Sequence, residues 1–310
     1  MNYRYLVQQV RPHQLVYQVA LVITSVVLSG NSNPVTVLLA GALIALMTPT
    51  FLLLNDYAHR KDDEAMGRDR LKVTADQVLK VFGVSMVIMG VITAVASLIS
   101  LVMFGLLFGA TILYAYGKHK RTMIGTYGGR FMSGAFTMGV YYTMFDARLT
   151  MVLVGLMAFV GGLDLAGNLA GDLRDYEKDK KAQLNTFPVK FGKEETVGVI
   201  LATTLGAYII LQASIGVWWL MSITVLWSLF SLVINPHTPD IWKHGVFHGP
   251  KVMQYLWVGL MVGKVGIIWL IIGSLFVGVL WIVSYQLYVW SAQQPTEKVE
   301  KNDNAEGVVT

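Results

Sequence analysis

Nine apolar stretches, each long enough to cross a lipid bilayer, run through most of the chain. A hydrocarbon core about 30 Å thick needs roughly 20 helical residues. The stretches lie near residues 14–30, 34–54, 81–98, 99–116, 128–146, 150–170, 196–216, 217–234 and 265–289. Backbone groups in lipid must be hydrogen-bonded within the chain, and the alternating pattern of a β-barrel is absent. The predicted fold class is therefore an all-α polytopic membrane protein with about nine transmembrane helices.

The composition agrees with a membrane protein. Of the 310 residues, 55% are hydrophobic and only 14% are charged, whereas soluble domains carry about 25% charged residues. The chain has no cysteine, which excludes disulfides, thiolate metal sites and cysteine nucleophiles. We expect one transmembrane domain over residues 1–290 and a disordered polar tail over residues 291–310. The first apolar stretch lacks the cleavage site of a secretory signal.

The basic residues predict an orientation. Five segments hold 21 of the 24 Lys and Arg residues: those before the first helix, 55–80, 117–130, 171–193 and 235–264. With nine spans these segments share one side, which the positive-inside rule assigns to the cytoplasm. We therefore expect a multi-pass protein of the cell membrane with a cytoplasmic N-terminus and the tail on the opposite side. The last span is expected to begin after Lys264, which leaves "QYLWVGLMVG" as an interfacial segment. The net charge of +5 then requires no nucleic-acid partner.

Two predicted cytoplasmic loops, residues 55–80 and 168–195, hold 12 of the 19 acidic residues. In each loop an asparagine at the helix end comes before side chains spaced i, i+3 and i+7: Asn55 before Asp56, His59 and Asp63, and Asn168 before Asp172, Asp175 and Asp179. If the helices continue past the membrane, that spacing places each trio on one helix face. Each loop balances six acids with six bases, so a pair of solvated mixed-charge loops is the alternative. Repetition at equivalent helix ends favours a shared site.

Carboxylates at two facing helix ends suit a hard divalent cation. Mg²⁺ takes oxygen ligands and typically binds through one or two carboxylates together with substrate phosphates. Nearby bases that could neutralise phosphate oxygens are Arg70, Lys118, Lys120, Arg121 and Lys190. A phosphate-bearing substrate therefore fits this mixture of charges better than a bare metal ion does.

These residues resemble a known family. "NDYAHRKDD" resembles the first Asp-rich motif of the UbiA superfamily of intramembrane prenyltransferases, N-D-x-x-D-x-x-x-D. "GDLRDYEKDKKAQLNTFPVKFG" resembles the second motif with its Thr-x-Pro-Val tail, and "RPHQL" and the basic "YAYGKHKR" resemble further family segments. The departure is His59, where the family usually has Asp.

The resemblance implies a helical bundle with a central cavity, in which Mg²⁺ bridges a polyprenyl diphosphate to both Asp motifs. The reaction implied is prenyl transfer to an aromatic acceptor. The implied metal ligands are Asp172 and Asp175, followed by Asp179, Asp56 and Asp63. The implied substrate-binding residues are Asn55, His59, Arg11, Arg70, Tyr114, Lys118, Arg121, Arg130 and Asn168. For Lys118 and Arg121 a purely topology-setting charge is the alternative, and for Tyr114 ordinary packing or an interface position.

Two questions stay open at the level of sequence. The "NTFPVKFG" ending resembles the quinone branch that acts on dihydroxynaphthoate or homogentisate, which favours menaquinone synthesis. Hydroxybenzoate, haem and archaeal lipid acceptors are the alternatives. A secondary transporter or cation channel is the alternative of a different class. It would need ionisable residues at mid-membrane, and Asp164 is the main intramembrane acid. The histidines His237, His244 and His248 show no ligand spacing and are interpreted as solvated or interfacial.

Overall fold

The computed structural model describes residues 11–65, 75–120, 122–181, 183–216 and 240–293, and within these ranges the chain forms helices and turns without a strand. The helices are α1 (Pro12–Ser29), α2 (Pro34–Ala65), α3 (Ala75–Ala96), α4 (Leu98–Lys120), a π-helical segment (Ile124–Gly128), α5 (Gly129–Phe145), α6 (Met151–Arg174), α7 (Tyr176–Lys181), α8 (Phe187–Phe191), α9 (Lys193–Ile215), α10 (Asp240–Val262) and α11 (Ile267–Gln293).

Seven of these helices are long and apolar enough to cross a membrane, namely α1, α2, α3, α4, α6, α9 and α11. Helix α5 has 17 residues and is about 26 Å long at 1.5 Å per residue. Eight of the nine predicted stretches therefore coincide with helices, and the stretch 217–234 lies outside the described residues. The prediction of an all-α, multi-pass membrane protein is confirmed.

The helix ends follow from local residues. Pro12 occupies the first turn of α1, where its missing N–H is no loss. Gly30 ends α1 in the left-handed region, with φ of 66°, and Gly216 ends α9 in the same way. The side chain of Thr150 accepts a hydrogen bond from the Leu153 N–H and so caps α6. These stops keep each apolar segment as a separate helix.

Helix α6 lies at the centre of the bundle and packs against α5, α9 and α10. Small residues allow the close approach that membrane helices use in place of hydrophobic collapse. A Cβ atom at Gly162 would lie 2.6 Å from the Ala207 Cβ of α9, and one at Gly161 would lie 2.6 Å from the Phe131 carbonyl oxygen of α5. The functional side chains of α6 are therefore held on a tightly packed helix.

Helices α1, α10 and α11 pack together beside this centre. The contacts of α10 advance along α1: the Thr24 hydroxyl donates to the Tyr255 carbonyl, and Gly263 meets Val27. The two helices therefore run in the same direction. Helix α11 runs in the opposite direction, so its end lies beside the start of α1. The Tyr288 ring of α11 lies 4.8 Å from the His13 ring of α1.

Two expectations for this region are wrong. Residues 254–263 are not interfacial, because 254–262 lie in the second half of α10 and include the buried side chains of Tyr255 and Val258. Because α10 adds a long helix that the sequence analysis did not count, α11 ends beside the start of α1 rather than at the opposite end. Lys264 is exposed in the turn between α10 and α11, at the end away from His13. Of the predicted disordered tail, residues 291–310, the first three belong to α11 and residues 294–310 lie outside the described residues.

Candidate active site

The second Asp-rich motif begins at the last turn of α6, where Asp172 is held by a tyrosine. The Tyr127 hydroxyl, from the π-helical segment, donates to Asp172 Oδ2 at 2.7 Å and accepts from the Phe187 N–H at 2.7 Å. One hydroxyl therefore ties the motif to the start of α8, in the "NTFPVKFG" segment. Burial and then the charge of Asp172 raise the pKa of Tyr127 above its ordinary value. The hydroxyl consequently stays protonated and keeps its role as a donor.

Helix α6 ends within the second motif. Asp175 is the residue that follows α6, and its carboxylate accepts from the adjacent Arg174 guanidinium at 3.1 and 2.5 Å. Asp179 lies in the next short helix, α7, and is buried. Asp172, Asp175 and Asp179 therefore do not lie on one uninterrupted helix, because Asp175 separates α6 from α7.

The first motif lies at the end of α2. This helix continues through Ala65, so the backbone of the first motif is helical. Asp56 is 2% exposed, and its Oδ1 accepts from Arg11 Nη2 at 2.7 Å. Arg11 precedes α1, so this ion pair joins the start of α1 to the end of α2. Asn55 is half-buried beside it.

Several predicted site residues cannot be placed. Arg70 and Arg121 lie outside the described residues, as do the side chains of His59, Asp63 and Lys118. Their predicted roles stay predictions.

Asn168 lies one turn before Asp172 on α6 and contacts the end of α4. Its Oδ1 accepts from the Tyr114 hydroxyl at 3.3 Å, and the Arg130 guanidinium lies 5.9 Å from the centre of the Tyr114 ring. The Asn168 Nδ2 is buried and has no hydrogen-bond partner among the described residues. An unsatisfied buried N–H donor is costly, and it matches an acceptor such as a phosphate oxygen.

The chemistry of these side chains fits Mg²⁺ held jointly by protein and substrate. The described residues contain no cluster of three His, Cys, Asp or Glu side chains arranged to hold a metal by themselves. The donors at this end are carboxylate oxygens, the ligands that Mg²⁺ prefers, and Mg²⁺ is usually held by one or two carboxylates plus phosphates. Arg11 and Arg174 lie against Asp56 and Asp175 and add positive charge for a polyanion.

A second polar cluster, which the sequence analysis missed, lies inside the bundle. Lys251 Nζ donates to Asp164 Oδ1, Arg130 Nη2 lies 3.6 Å from Asp164 Oδ2, and the Tyr17 hydroxyl donates to Oδ2 at 3.4 Å. Lys251 was counted among the loop charges, but its side chain is only 7% exposed. The sequence feature that could have indicated this cluster is Asp164 itself. It lies four residues before Asn168 and eight before Asp172, on the same helix face.

The sequence pattern of the UbiA prenyltransferase family matches residues 16–240. No curated protein sequence matches the chain.

Solved structures of UbiA homologues have the same fold. A UbiA homologue from Archaeoglobus fulgidus bound to DMAPP and Mg²⁺ is 14% identical, with a TM-score of 0.60 over 85% of this chain and 100% of that one. The apo structure of a UbiA homologue from Aeropyrum pernix K1 is 12% identical, with a TM-score of 0.59 over 81% and 96%. A third structure, from a study of digeranylgeranylglyceryl phosphate synthase, is 17% identical, with a TM-score of 0.54 over 93% and 97%.

Proposed function

The chain belongs to the UbiA prenyltransferase family, and from that premise we propose that it transfers a polyprenyl group from a polyprenyl diphosphate to an aromatic acceptor, with Mg²⁺ as cofactor. The observation that supports the proposal is that both Asp-rich motifs lie at one end of the bundle. There Asp56 pairs with Arg11, and Asp172 accepts from Tyr127 one turn after Asn168. Carboxylates, cations and an unpaired amide donor together suit a metal-bound diphosphate.

Two structures of a relative with bound substrate support the donor class. The Archaeoglobus fulgidus homologue was solved with DMAPP and Mg²⁺ and with GPP and Mg²⁺. We infer that the present chain takes the same kind of donor, a prenyl diphosphate, at its Asp-rich end.

The proposed reaction breaks the allylic carbon–oxygen bond and forms a bond from that carbon to the acceptor ring, which then loses a proton. Bound Mg²⁺ would neutralise the leaving diphosphate. Its proposed ligands are Asp172, Asp175, Asp179, Asp56 and Asp63.

The chain's own residues have separable proposed tasks. Tyr127 orients Asp172 through its hydroxyl, and the Asn168 amide donates to a diphosphate oxygen. Arg11 holds Asp56 and adds positive charge beside it. The apolar bundle keeps water from the allylic cation. The proposed diphosphate-binding side chains outside the described part of the structure are His59, Arg70, Lys118 and Arg121.

We propose a quinone-type acceptor, and menaquinone synthesis as the pathway, because the "NTFPVKFG" segment resembles that branch. The Phe187 N–H of this segment contacts the Tyr127 hydroxyl, so the segment belongs to the site. We also propose that the protein lies in the cell membrane with its Asp-rich end in the cytoplasm, on the basis of the clustered Lys and Arg residues.

Prenyl transfer by isolated membranes tests the proposal. Membranes receive radiolabelled geranylgeranyl diphosphate, Mg²⁺ and, in turn, dihydroxynaphthoate, homogentisate or 4-hydroxybenzoate. We expect labelled product with one acceptor, and its loss when the metal is chelated. Asp172→Asn should lower the rate by about 100-fold, which corresponds to about 2.7 kcal/mol of transition-state stabilisation.

Asp146→Asn is the matched control, because Asp146 lies at the opposite end of the bundle and pairs with Arg148. It should leave the rate unchanged. Wild-type rates in Asp172→Asn, or no transfer to any acceptor combined with ion flux in proteoliposomes, would contradict the proposal.

A further inference from the structure

Three glycines bring the backbone at the end of α4 into direct contact with the π-helical segment and the start of α5. A Cβ atom at Gly129 would lie 2.6 Å from the Tyr114 nitrogen, and one at Gly125 would lie 2.7 Å from the Gly117 Cα. A Cβ atom at Gly117 would overlap the Gly125 carbonyl carbon. Gly117, Gly125 and Gly129 together form the glycine contact. A side chain at any of these positions would push the two backbones apart, because backbone atoms cannot turn away as side chains do.

The π-helical segment at this contact has a backbone geometry that is unfavourable on its own. π-Helical turns are rare and occur mostly as single turns, frequently at functional sites. The segment Ile124–Gly128 also includes two glycines, and glycine is among the least favourable residues in a helix. The Thr122 N–H just before the segment donates to the Gly117 carbonyl at 2.8 Å. Contacts with α4 therefore stabilise a segment that its own sequence does not favour.

A tyrosine on each side of the glycine contact reaches α6. The Tyr114 hydroxyl, from α4, donates to Asn168 Oδ1 at 3.3 Å. The Tyr127 hydroxyl, from the π-helical segment, donates to Asp172 Oδ2 at 2.7 Å. Asn168 and Asp172 are one turn apart, so the two tyrosines contact successive turns of the helix that leads into the second Asp-rich motif. The distance between the two tyrosines depends on how closely α4 approaches the π-helical segment.

A small separation of the two backbones is enough to disturb these contacts. An ordinary contact of 3.4 Å at Gly125, in place of 2.7 Å, requires a shift of about 0.7 Å. Hydrogen bonds between oxygens lie at about 2.5–3.0 Å, so a shift of that size removes a bond from its favourable range. Both tyrosines contact the same helix, and a change in their separation must therefore displace at least one of them from α6.

We propose that the glycine contact is a positioning element of the active site, which places Tyr127 against Asp172 and Tyr114 against Asn168 for binding of the metal–diphosphate. The three glycines are positioning residues, since they act through the tyrosines and touch no substrate. This inference rests on the proposed function.

Binding to the purified protein in detergent provides the first test. Calorimetry measures the Kd of geranyl diphosphate in the presence of Mg²⁺. We expect Gly125→Ala to raise this Kd by about tenfold, as the loss of a hydrogen bond to a charged group does. Gly128→Ala is the matched control in the same segment and should keep the wild-type Kd, because a Cβ atom there meets nothing within 4 Å. A wild-type Kd in Gly125→Ala overturns the proposal.

Gly259→Ala separates positioning from a general loss of packing. A Cβ atom at Gly259 of α10 would lie 2.7 Å from the Thr24 Cα of α1, a contact toward the opposite end of the bundle. Gly259→Ala and Gly125→Ala should both lower the Tm, but only Gly125→Ala should raise the Kd. An equal rise in both variants would show that overpacking alone weakens binding, and it would overturn the proposal.

Double variants provide the second test, because they show whether a glycine acts through a tyrosine. Gly125→Ala is combined with Tyr127→Phe, and Gly129→Ala with Tyr114→Phe. Once the hydroxyl is absent, the glycine substitution has no hydrogen bond left to disturb. We therefore expect the Kd of each double variant to lie within about twofold of the Kd of its Tyr→Phe parent. Fold-changes that multiply in the double variants would show independent effects and overturn the proposal.

Hydrogen exchange in the wild-type protein provides a test that does not require the alanine variants to fold. Mg²⁺ and geranyl diphosphate should slow amide exchange over residues 122–130, because the bound ligands fix Asp172 and, through its hydroxyl, Tyr127. The same ligands should leave exchange in Tyr127→Phe unchanged. Equal slowing in both proteins overturns the proposal, and so does wild-type binding without slowing. If the wild-type protein does not bind geranyl diphosphate at all, the proposed function itself is contradicted.

Discussion

Tyr127 holds a metal-ligand candidate through a single hydroxyl, and this contact gives a prediction at the scale of one residue. Tyr127→Phe removes the donor to Asp172 and the acceptor for the Phe187 N–H. A hydrogen bond to a charged group contributes about 1.5–3 kcal/mol. We therefore expect the Mg²⁺ concentration for half-maximal activity to rise by about tenfold or more, with a smaller change in kcat.

The matched control for Tyr127→Phe lies at the other end of the bundle. The Tyr142 hydroxyl donates to Asp146 at 3.4 Å, so Tyr142→Phe removes the same atom from a similar contact. Its Mg²⁺ dependence should equal that of the wild type. If Tyr127→Phe loses kcat alone and keeps the wild-type Mg²⁺ dependence, Tyr127 does not position a metal ligand.

Residues in a local pattern could be predicted from the sequence, and residues whose partners are remote could not. Asp56 and Asp172 stand in short motifs whose spacing is visible along the chain. Tyr127 contacts a carboxylate 45 residues away, and nothing near it in the sequence indicates that contact. Lys251 was interpreted as a loop charge because its partner, Asp164, is 87 residues distant.

At the scale of helices, the same limit explains why α10 was not recognised as part of the core. Its first half contains Lys243, His244, His248 and Lys251, and α10 is not among the helices apolar enough to be recognised as membrane spans. Long uninterrupted apolar helices such as α11 were predicted well because their character depends on composition alone. Pairing with Asp164 neutralises Lys251, and hydropathy does not register such a pairing.

The contact between α6 and α9 gives a prediction at this scale. In Gly162→Ala the new methyl group would lie 2.6 Å from the Ala207 Cβ, which is fixed to the backbone, so the helices must move apart. Overpacking of this kind costs about 1–3 kcal/mol. We expect Gly162→Ala to have a lower Tm than the wild-type protein in detergent. Tryptophan fluorescence during heating measures this Tm.

Gly206→Ala is the control for this contact, because a Cβ at Gly206 of α9 meets nothing within 4 Å. Its Tm should equal or exceed the wild-type value, since alanine favours a helix by about 1 kcal/mol over glycine. A Tm of Gly162→Ala at or above that of Gly206→Ala would show that the α6–α9 contact is not tightly packed.

At the scale of the whole molecule, the arrangement of helices separates two ends. One end contains the start of α1 and the Asp motifs, and the start of α1 also meets the end of α11 at Tyr288. The opposite end contains the turn at Lys264 and the α5–α6 connection, where Asn31 Nδ2 donates to the Phe145 carbonyl. The count of apolar stretches placed Lys264 on the same side as the Asp motifs, which is wrong. The count omitted α10, which is about 35 Å long at 1.5 Å per residue and brings the chain to the opposite end before Lys264.

Single-cysteine labelling tests this arrangement, and the natural absence of cysteine makes each label specific. Lys80, Lys178, Arg148 and Lys264 are all exposed and are replaced one at a time by cysteine in right-side-out and inverted vesicles. Lys80→Cys and Lys178→Cys should react with an impermeant maleimide from one face, which we expect to be cytoplasmic because basic residues cluster there. Arg148→Cys and Lys264→Cys should react from the other. Labelling of Lys264→Cys together with Lys178→Cys would place the α10–α11 turn at the Asp-rich end. That result would contradict the packing of Gly263 against Val27, and with it the position of Lys251 beside Asp164.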